Sequence, residues 1–485
     1  MILNRNFKDF KFQHKRNKNQ IIYTSRKIRS DREVLNLIDN FLVEKNSFIF
    51  ESVEKGKIRG RYTIFGKNPD KIWEFNNDRS YLIEDKSKKR IKGSPDKIIE
   101  KIIESFNFKT PTSLPPICSL ISGYFSYDSI RYIEKIPNKC KDDLKLPDVR
   151  LLRPQTVIIH DNLKKKIFYI VNVFKDKKIS NYKKVYLRIK EDIERLLMES
   201  SFKKTSPQRT SFSNFKVKSN TSKNKFLAMI TKAKKYIKLG DIFQVVLSQR
   251  FEAKLSKSPL DIYKKLRNTN PSPFMYFFNF TDFQIIGASP EILVRLRDNK
   301  ITVRPIAGTR PRGKDVKEDN FLAKDLLNDK KELSEHLMLL DLGRNDAGKV
   351  SKINSIKVTE SFIIEKYSHV MHIVSNVIGI YNKKFSKFKT LLAGFPAGTV
   401  SGAPKIRAME IIDELETSKR KVYAGGIGYF SSNGEFDTCI ALRTAIAKND
   451  KFYVQAGAGI VADSNPIKEY EETINKAKAL LNALK

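Results

Sequence analysis

The sequence predicts an α+β fold, and the length, periodicity and connections of the chain carry that prediction. A chain of 485 residues is too long for one ordinary hydrophobic core and suggests two or three domains. In the C-terminal half, helical spacing at 224–240 alternates with strand-like runs at 241–251, 436–448 and 452–461. Few of the strict strand–helix–strand units of a parallel sheet occur there, which favours α+β over α/β.

Composition divides the chain into four segments. Before residue 200, strand-like runs at 119–128 and 165–174 and helical spacing at 184–200 indicate a mixed α and β segment. The stretch that follows is rich in Ser, Thr and Lys and contains no acid, so it cannot bury much apolar surface. The predicted segments are a basic leader (1–20), an N-terminal domain (21–199), a linker (200–225) and a C-terminal domain (226–485).

The basic leader is the segment that we cannot assign. Residues 1–30 carry nine Lys or Arg and one acid, Asp9. That excess suits a transit peptide, but the segment lacks the Ser and Arg richness of that class and has no small-residue cleavage site.

A formal net charge of +39 leaves two classes of protein open. A nucleic-acid-binding protein needs such an excess, because phosphate contacts dominate its affinity. However, the lysines are spread along the whole chain rather than gathered on one helix or arm, which favours an ordinary solvated surface and no nucleic-acid partner.

No apolar run is long enough to span a bilayer. Cys118, Cys140 and Cys439 form no disulfide or zinc spacing, which suits a reducing cytoplasm.

Two pairs of carboxylates share one spacing on predicted helices. Glu332 and Glu335 lie in the helix at 330–346, and Glu469 and Glu472 lie in a second helix. Each pair is i,i+3 and therefore occupies one helix face, pointing away from the apolar stripe, which in the first helix is Leu333, Leu337 and Leu340. That pattern fits a solvated charged face, and it fits equally two helices that present oxygens to a bound Mg²⁺.

The run at 452–461 leads into a literal G-x-G-x-x-A match that starts at Gly457. A dinucleotide-binding motif needs a helix that opens at its glycines, whereas here the helix is predicted to begin only after Pro466. We therefore reject the dinucleotide interpretation and retain only that Gly457 and Gly459 let the backbone approach an anion closely.

Three further residues admit both a structural and a functional interpretation. Thr399 precedes a helix start at 401–404, where it is either part of ordinary capping or a neighbour of a carboxylate. In the strand predicted at 436–448, alternation places Arg443 on a face of small side chains, either solvated or facing a planar carboxylate ligand. His372, one of five histidines, is either a core histidine or a proton carrier.

Taken together, ten segments resemble the chorismate-utilising enzymes, most closely the large component of the branch that forms anthranilate. They run in order from about residue 21 to the C-terminus. They read "ESVEKGKIRGRYTIFG", "NPSPFMYFF", "GASPE", "PIAGTRPRG", "EHLMLLDLGRND", "SHVMHIVS", "FPAGTVSGAPKIRAMEII", "YAGGIGYF", "DTCIALRTAI" and "VQAGAGIVADSNPIKEYEET".

The resemblance implies a fold and a set of site residues. The fold is a sandwich of two stacked antiparallel β-sheets enclosed by helices. Glu335 and Glu472 are the implied direct ligands of Mg²⁺, with Glu332 and Glu469 behind them. The implied contacts to chorismate are Gly308, Thr309, Tyr423, Arg443, Gly457, Ala458 and Gly459.

The resemblance also implies a reaction in which ammonia adds to the ring of chorismate, the ring hydroxyl leaves, and pyruvate is eliminated to give anthranilate. Glu291 matches the general acid that protonates the departing hydroxyl, which requires a raised pKa. His372 matches a residue linked to proton transfer, and Thr399 matches one that orients the substrate.

Two positions favour the amination branch. Members of the family that use water carry Lys where this chain has Gln244, and a neutral amide cannot activate water as a base. Many aminodeoxychorismate-forming members carry a nucleophilic Lys where this chain has Ala307. The alternatives kept are aminodeoxychorismate synthesis, isochorismate or salicylate synthesis, and a degenerate member that only senses tryptophan.

The resemblance implies one protein partner and one inhibitor. None of the three cysteines lies in the Gly-rich elbow of a glutaminase, so ammonia would come from a separate glutamine amidotransferase subunit or from solution. Tryptophan is the implied feedback inhibitor of this first committed step of tryptophan biosynthesis. Its matched binding residues are Glu51, Ser52, Pro273, Phe274 and Met275, with Phe274 where many members have Tyr.

Overall fold

The computed structural model describes residues 2–54, 57–58, 60–202, 216–367 and 370–484 of the chain. The helices are α1 (Phe7–Lys15), α2 (Arg32–Phe41), α3 (Pro95–Ser105), α4 (Tyr182–Ser201), α5 (Lys223–Lys238), α6 (Pro259–Thr269), α7 (Val316–Asn328), α8 (Lys330–Gly348), α9 (Lys387–Ala393), α10 (Lys405–Leu415) and α11 (Pro466–Asn482). Short 3₁₀ turns lie at Tyr127–Tyr132 and Gly398–Val400.

The strands are β1 (Gln20–Lys27), β2 (Ser47–Glu51), β3 (Val53–Glu54), β4 (Lys57–Ile58), β5 (Tyr62–Asn76), β6 (Arg79–Glu84), β7 (Ser87–Ile91), β8 (Leu120–Phe125), β9 (Val149–Asp161), β10 (Lys166–Val173), β11 (Lys218–Ser219), β12 (Gln244–Lys254), β13 (Phe274–Asn279), β14 (Gln284–Ser289), β15 (Ile292–Arg297), β16 (Lys300–Val303), β17 (Ile306–Pro311), β18 (Lys357–Lys366), β19 (Val370–Ile380), β20 (Gly402–Ala403), β21 (Gly426–Ser431), β22 (Phe436–Ile440), β23 (Thr444–Lys448) and β24 (Lys451–Ile460).

The strand ladders are antiparallel and form two branches that diverge from the long β5–β9 pair. One branch runs from β5 through β2, β13, β14, β23 and β24 to β12. The other runs from β9 through β8, β21, β22, β15 and β16 to β19, which also pairs with β17 and β18.

The two branches face each other across a shared apolar layer. Alternation in β13 sends Tyr276 and Phe278 into that layer, together with Tyr124 of β8 and Ile427 of β21. The ring of Phe280 packs edge-on against Tyr124, with centroids 5.9 Å apart. The predicted α+β fold of stacked antiparallel sheets is therefore confirmed.

Helices cover the remaining faces of the sheets. Met275 and Phe277, the alternate side chains of β13, lie in a second cluster with apolar residues of α2, α4, α6 and α11. A third cluster joins α3, α5, α9 and α10 to strands of both branches, including Val245 and Leu247 of β12. The amphipathic helices thus bury the outer faces that the sheets leave open.

Strands on the two sides of the predicted linker share one hydrogen-bonded network. β2 pairs with β13, and β8 pairs with β21, so partners come from before residue 200 and after residue 225. The division into domains stays a prediction, and residues 203–215 of the predicted linker lie outside the described residues.

The basic leader contains helix α1, which packs on helix α4. The buried ring of Phe10 lies 5.7 Å from that of Tyr186, and Gln20 donates a side-chain hydrogen bond to the Phe10 carbonyl at 2.9 Å. A short amphipathic segment is thereby fixed by tertiary packing, which charge counting does not reveal.

Three local predictions can be compared with the structure. The single strand predicted at 436–448 is wrong: β22 ends at Ile440 and β23 begins at Thr444, because the backbone turns at Arg443 with φ +46°. The motif at 304–313, for which the sequence predicts no strand, contains strand β17. The rejection of a dinucleotide motif is confirmed, since β24 continues to Ile460 and α11 starts at Pro466.

Among the described residues, no helix is long and apolar enough to cross a membrane.

Candidate active site

The predicted general acid is buried without a cation. Glu291 is 6% exposed, and its Oε1 accepts a hydrogen bond from the Thr399 hydroxyl at 3.1 Å. Burial raises the pKa of Glu291 to about 8, and the Thr399 hydrogen bond opposes that rise. Arg304 and Asp346 line the small cavity of about 30 Å³ beside it. Glu291 is therefore protonated near neutral pH, as a general acid must be.

Strand β17 supplies partners for His372, which lies opposite it on β19. The His372 Nδ1 lies 2.9 Å from the Gly308 carbonyl and 3.0 Å from the Thr309 hydroxyl. A carbonyl only accepts, so Nδ1 carries the proton and Nε2 is left as the basic nitrogen. Burial lowers the pKa of His372 to about 4, which keeps the ring neutral.

Gly308 allows β17 to bulge beside this histidine. Its φ is +68°, and the register shifts between Ala307 and Thr309. A Cβ placed on Gly308 would meet Leu326 at 3.1 Å and Glu332 at 3.2 Å. The bulge thus brings the predicted substrate contacts close to the first carboxylate pair.

Arg443 is the unpaired cation of the site. Its side chain makes no hydrogen bond and no ion pair with any residue that the structure describes. Burial lowers its pKa, and the Tyr367 phenol opposes that shift. Because the charge of Arg443 also helps to lower the pKa of His372, the two groups lie within electrostatic range of each other. A desolvated guanidinium in this position is suited to binding an anionic ligand.

The arginines at 304–313 are paired with carboxylates of the protein. Arg304 donates to Glu360 and Glu365 at 2.8 and 2.7 Å. Arg312 donates to Asp319, with its shortest contact at 2.6 Å. The remaining contacts join Arg310 to Asp325, Asp329 and Glu332. These cations therefore shape the β17 region and are not free to bind phosphates.

Strand β24 brings the glycine motif against two predicted site residues. A Cβ on Gly457 would lie 2.8 Å from the Tyr423 hydroxyl, and one on Gly459 would lie 2.7 Å from the Gln244 Nε2. Neither position has room for a side chain. Ala458 points into the apolar core, so only its backbone is available to a ligand.

The four predicted metal carboxylates lie on two helices. Burial raises the pKa of Glu335 on α8, and the charges of Glu332 and Glu472 raise it further. Burial likewise raises the pKa of Glu469 on α11, with a further contribution from Glu472. Glu335 also accepts a hydrogen bond from Gln244 at 3.3 Å. Like charges gathered in this way are the arrangement that a bound cation neutralises.

The predicted apolar stripe of α8 is wrong at one position. Leu337 is 49% exposed, whereas His336, Leu339 and Leu340 are buried. The buried face is shifted around the helix because α8 packs on β17 and β19, with His336 Nε2 lying 2.7 Å from the Ser375 hydroxyl. That shift leaves Glu335 half-buried rather than solvated.

The residues fit Mg²⁺ only if oxygens other than those of the protein complete its coordination. In the described ranges, no three His, Cys, Asp or Glu side chains are grouped so that they hold a metal by themselves. Mg²⁺ is usually held by one or two carboxylates plus substrate and water. Glu335 and Glu472, which influence each other electrostatically, meet that requirement.

The predicted tryptophan residues line a large cavity of about 1140 Å³, whose lining also includes Arg304 and Tyr367. Glu51 is buried there, and its Oε1 accepts hydrogen bonds from Tyr263 at 2.5 Å and from Arg267 at 2.8 Å. Its Oε2 has no hydrogen-bond partner in the part of the chain that the structure describes. The same cavity is lined by Ser52, Pro273, Phe274 and Met275, so the structure brings all five predicted residues together.

Two residues that the sequence did not single out lie at the site. Lys476 pairs with Glu472 at 2.6 Å and donates to the Gly457 carbonyl at 3.1 Å, and its i,i+4 spacing from Glu472 is a signal that could have identified it. The Tyr367 ring lies 5.5 Å from that of His372. Nothing local marks Tyr367, because this contact forms across strands.

Comparison with known proteins agrees with this arrangement. The chorismate binding enzyme family matches residues 46–482. Anthranilate synthase component 1 of Cereibacter sphaeroides is 46% identical, over 98% of this chain and 97% of the relative. The crystal structure of anthranilate synthase component I from Streptococcus pneumoniae TIGR4 is 39% identical, with a TM-score of 0.78 over 87% of this chain and 93% of that one.

A more distant structure shares the fold alone. The menaquinone-specific isochorismate synthase of Escherichia coli superimposes with a TM-score of 0.72, over 98% of this chain and 99% of its own, but it is only 18% identical. The family match spans most of the chain, and the full-length similarity is to component 1 proteins. The chain therefore belongs to the chorismate-binding enzymes and, within them, to the anthranilate synthase component 1 group.

Proposed function

We propose that this protein converts chorismate and ammonia into anthranilate and pyruvate. The observation that carries the proposal is the half-buried Arg443, unpaired among the described residues, in a site that also holds a protonated carboxyl, Glu291. An anionic substrate with a leaving hydroxyl requires both groups. Similarity to component 1 proteins along nearly the whole chain supports anthranilate as the product.

Substrate binding in this proposal uses Arg443 and the glycine-lined backbone. Arg443 pairs with a carboxylate of chorismate, because no carboxylate among the described residues neutralises it. The backbone at 457–459 and 308–309 approaches the substrate without side-chain obstruction. Tyr423, buried against Gly457, closes the site from below.

Mg²⁺ is part of the proposal, with Glu335 and Glu472 as its ligands and with Glu332 and Glu469 as neighbouring carboxylates. When bound, it would polarise the conjugated ring carboxylate as a Lewis acid. The raised pKa values of Glu335 and Glu469 support a cation there, since each reflects a nearby negative charge as well as burial.

The proton transfers are assigned to Glu291 and His372. Ammonia adds to the ring while Glu291, held by Thr399, gives its proton to the departing hydroxyl, which leaves as water. The neutral His372 then accepts the ring proton through Nε2 as the ring C–O bond breaks and the enolpyruvyl group leaves as the enolate of pyruvate, whose methylene carbon takes a proton from water to give pyruvate. The Gly308 carbonyl fixes the required tautomer.

Two side chains support amination over the alternative reactions. Gln244 is buried and donates to Glu335, and an amide cannot serve as the base that isochorismate or salicylate formation from water needs. Ala307 has no nucleophile for the covalent route of aminodeoxychorismate formation. Isochorismate or salicylate formation and aminodeoxychorismate formation are the alternative functions, and the identity of the product tests the proposal against them.

The proposal includes a cytoplasmic glutamine amidotransferase subunit as the ammonia source and tryptophan as inhibitor. The name of these relatives, component 1, supports a partner component. The buried Oε2 of Glu51, which has no hydrogen-bond partner among the described residues and belongs to a residue that lines the large cavity, supports recognition of an amino acid's ammonium group there. Free thiols at Cys118, Cys140 and Cys439 suit the cytoplasm.

The test is an assay of the purified chain with chorismate, MgCl₂ and an ammonium salt at mildly alkaline pH. Anthranilate fluorescence and pyruvate should rise together, and each should require both Mg²⁺ and ammonium. Adding EDTA should stop the reaction, and excess Mg²⁺ should restore it. Tryptophan should inhibit it.

Other products give different answers in the same assay. Isochorismate or salicylate without an ammonium requirement would overturn the assignment of Gln244. Aminodeoxychorismate would overturn that of Ala307. No turnover together with tryptophan binding would indicate a sensor, and salt-dependent oligonucleotide binding without turnover would indicate a nucleic-acid-binding protein.

A further inference from the structure

A buried ion pair lies beneath the candidate active site, just beyond helix α10. Arg420 is 1% exposed, and it donates to both oxygens of Glu416, at 3.0 Å from Nε and at 2.6 Å from Nη2. A buried ion pair is weak evidence for stability, because desolvation offsets the Coulomb attraction. The remaining contacts of the pair therefore indicate its purpose.

The guanidinium of Arg420 ties together two backbone segments that carry predicted site residues. Nη1 donates to the Val400 carbonyl at 2.6 Å, one residue after Thr399. Nη2 donates to the Val246 carbonyl at 2.6 Å, on the strand that begins with Gln244. Since the guanidinium group of Arg420 is rigid and planar, these contacts fix the Val400 and Val246 segments relative to each other.

The carboxylate of Glu416 extends the same connection to the glycine strand. Its Oε1 accepts hydrogen bonds from the backbone N–H and the hydroxyl of Ser248, both at 2.8 Å. Ser248 lies opposite Gly457 in the β12–β24 ladder. On the other side, the guanidinium of Arg420 lies 5.5 Å from the centre of the Tyr423 ring.

We propose that Arg420 and Glu416 form a positioning pair for the reaction, holding the Thr399 turn, the Gln244 strand and the Tyr423 ring in one fixed arrangement. Arg420 contacts the Tyr423 ring, and among the described contacts neither side chain of the pair touches Glu291, Thr399 or Arg443 directly. The inference rests on the proposed function, because it assigns the pair to the alignment of Glu291 through Thr399.

Loss of this alignment has a defined chemical consequence. The Thr399 hydroxyl is the hydrogen-bond partner that orients Glu291, and a displacement of about 1 Å can cost on the order of 100-fold in rate. If Thr399 withdraws, Glu291 loses the interaction that opposes the rise of its pKa. The acid then titrates at higher pH, so the alkaline fall in activity moves upward.

The test replaces Arg420 by lysine, which keeps the charge but removes the planar fork. Arg420→Lys should lower kcat about 100-fold, change the KM for chorismate much less, and move the alkaline limb of the pH profile to higher pH. Arg153→Lys is the matched control. Arg153 also makes a bidentate pair, with Asp70 at 2.8 and 2.6 Å, over the ring of Phe174, and it contacts none of the predicted site residues.

Both lysine variants should lower Tm, but only Arg420→Lys should change kcat and the pH profile. An Arg420→Lys protein with reduced Tm and wild-type kcat and pH profile would show that the pair is merely structural. Should that variant not fold, Ser248→Ala removes one donor to Glu416 without leaving a charge unpaired. It should lower kcat and shift the alkaline limb in the same direction by a smaller amount, and unchanged values would overturn the proposal.

Failure of the proposed function gives a different result. In that case the wild-type protein itself makes no anthranilate from chorismate and ammonium. If wild type is active and the two Arg→Lys variants behave alike, only the positioning inference is wrong.

Discussion

Glu291 and Glu51 are both buried carboxylates in the same stack of sheets, but their surroundings differ. Glu291 has only a hydroxyl partner, Thr399, and its pKa rises to about 8. Glu51 has a cation, Arg267, and a phenol on one oxygen, while its second oxygen has no hydrogen-bond partner. Burial without a compensating charge thus raises the pKa of Glu291 towards neutral pH, whereas Glu51 keeps an ion pair with Arg267 on one oxygen.

The candidate active site and the segment at 304–313 also differ in how their charges are paired. The candidate active site holds charged side chains that form no ion pair with any described residue, including Arg443 and Glu335. The arginines at 304–313 are instead compensated by carboxylates. Arg443 and Glu335 are therefore expected to act on ligands through charges that the described residues leave unpaired, whereas Glu472 is already paired with Lys476.

The largest expected effect is at the proposed metal ligands. Glu335→Gln or Glu472→Gln should lower kcat by roughly 1000-fold or more, because the several kcal/mol of Lewis-acid stabilisation would be lost. Glu471→Gln, the exposed neighbour of Glu472 on α11, is the matched control and should retain wild-type turnover. Steady-state kinetics over a range of MgCl₂ concentrations measures both. Full activity of the Glu335→Gln and Glu472→Gln variants would show that the metal lies elsewhere.

The next effect concerns the acid itself. Glu291→Gln should lower kcat about 100- to 1000-fold, because an amide cannot protonate the leaving hydroxyl. In wild type, the active form is the protonated one, so activity should be complete below about pH 8 and fall as pH rises through the Glu291 pKa of about 8. The variant should lose that limb. A residual activity that still falls near pH 8 would identify another group as the acid.

Arg443 should show a smaller effect, on binding. Arg443→Gln should reduce kcat/KM for chorismate about 100-fold, mainly through KM, because a buried charged hydrogen bond to the substrate is lost. Arg188→Gln on the exposed surface of α4 changes the net charge equally and should leave KM unaltered. Equal KM values for the two variants would mean that the positive charge acts only through the overall field of the protein.

Features that depend on neighbouring residues in the chain could be predicted from the sequence. The helix of Glu469 and Glu472 begins at Pro466 because Asn465 caps it, accepting from the N–H groups of Ile467 and Lys468. That start follows from residue types alone. The α+β class was likewise readable from periodicity.

Tertiary contacts explain what the sequence did not reveal. Arg443 was assigned to a continuous strand, because nothing in its neighbours signals a turn. In the structure, the Arg443 carbonyl accepts from the Ala288 N–H, and Ala441 exchanges hydrogen bonds with Ala424 and Gly425 on both sides of the break. The partners of the β17 arginines likewise lie on α7, α8 and β18, so their neutralisation could not be inferred from the motif.

The smallest expected effect is at Glu51, the second buried carboxylate. Glu51→Gln should weaken tryptophan binding about 10-fold, because the side chain can no longer offer an anionic oxygen to the ammonium group of the inhibitor. Isothermal titration calorimetry of the purified chain with tryptophan measures the Kd directly, independent of turnover.

The control for Glu51 separates the ligand contact from the internal ion pair. Arg267→Lys perturbs the compensated Oε1 but leaves the free Oε2 anionic, so it should lower Tm with a smaller change in the tryptophan Kd than Glu51→Gln. If both variants weaken binding equally, the ion pair shapes the cavity and the free oxygen is not the contact. If neither does, tryptophan binds elsewhere. If only Glu51→Gln weakens tryptophan binding, the Glu51 oxygen that is not paired with Arg267 is the ligand contact. A buried carboxylate with one paired oxygen would then serve to bind a ligand, whereas Glu291, which has no cationic partner among the described residues, would serve as an acid.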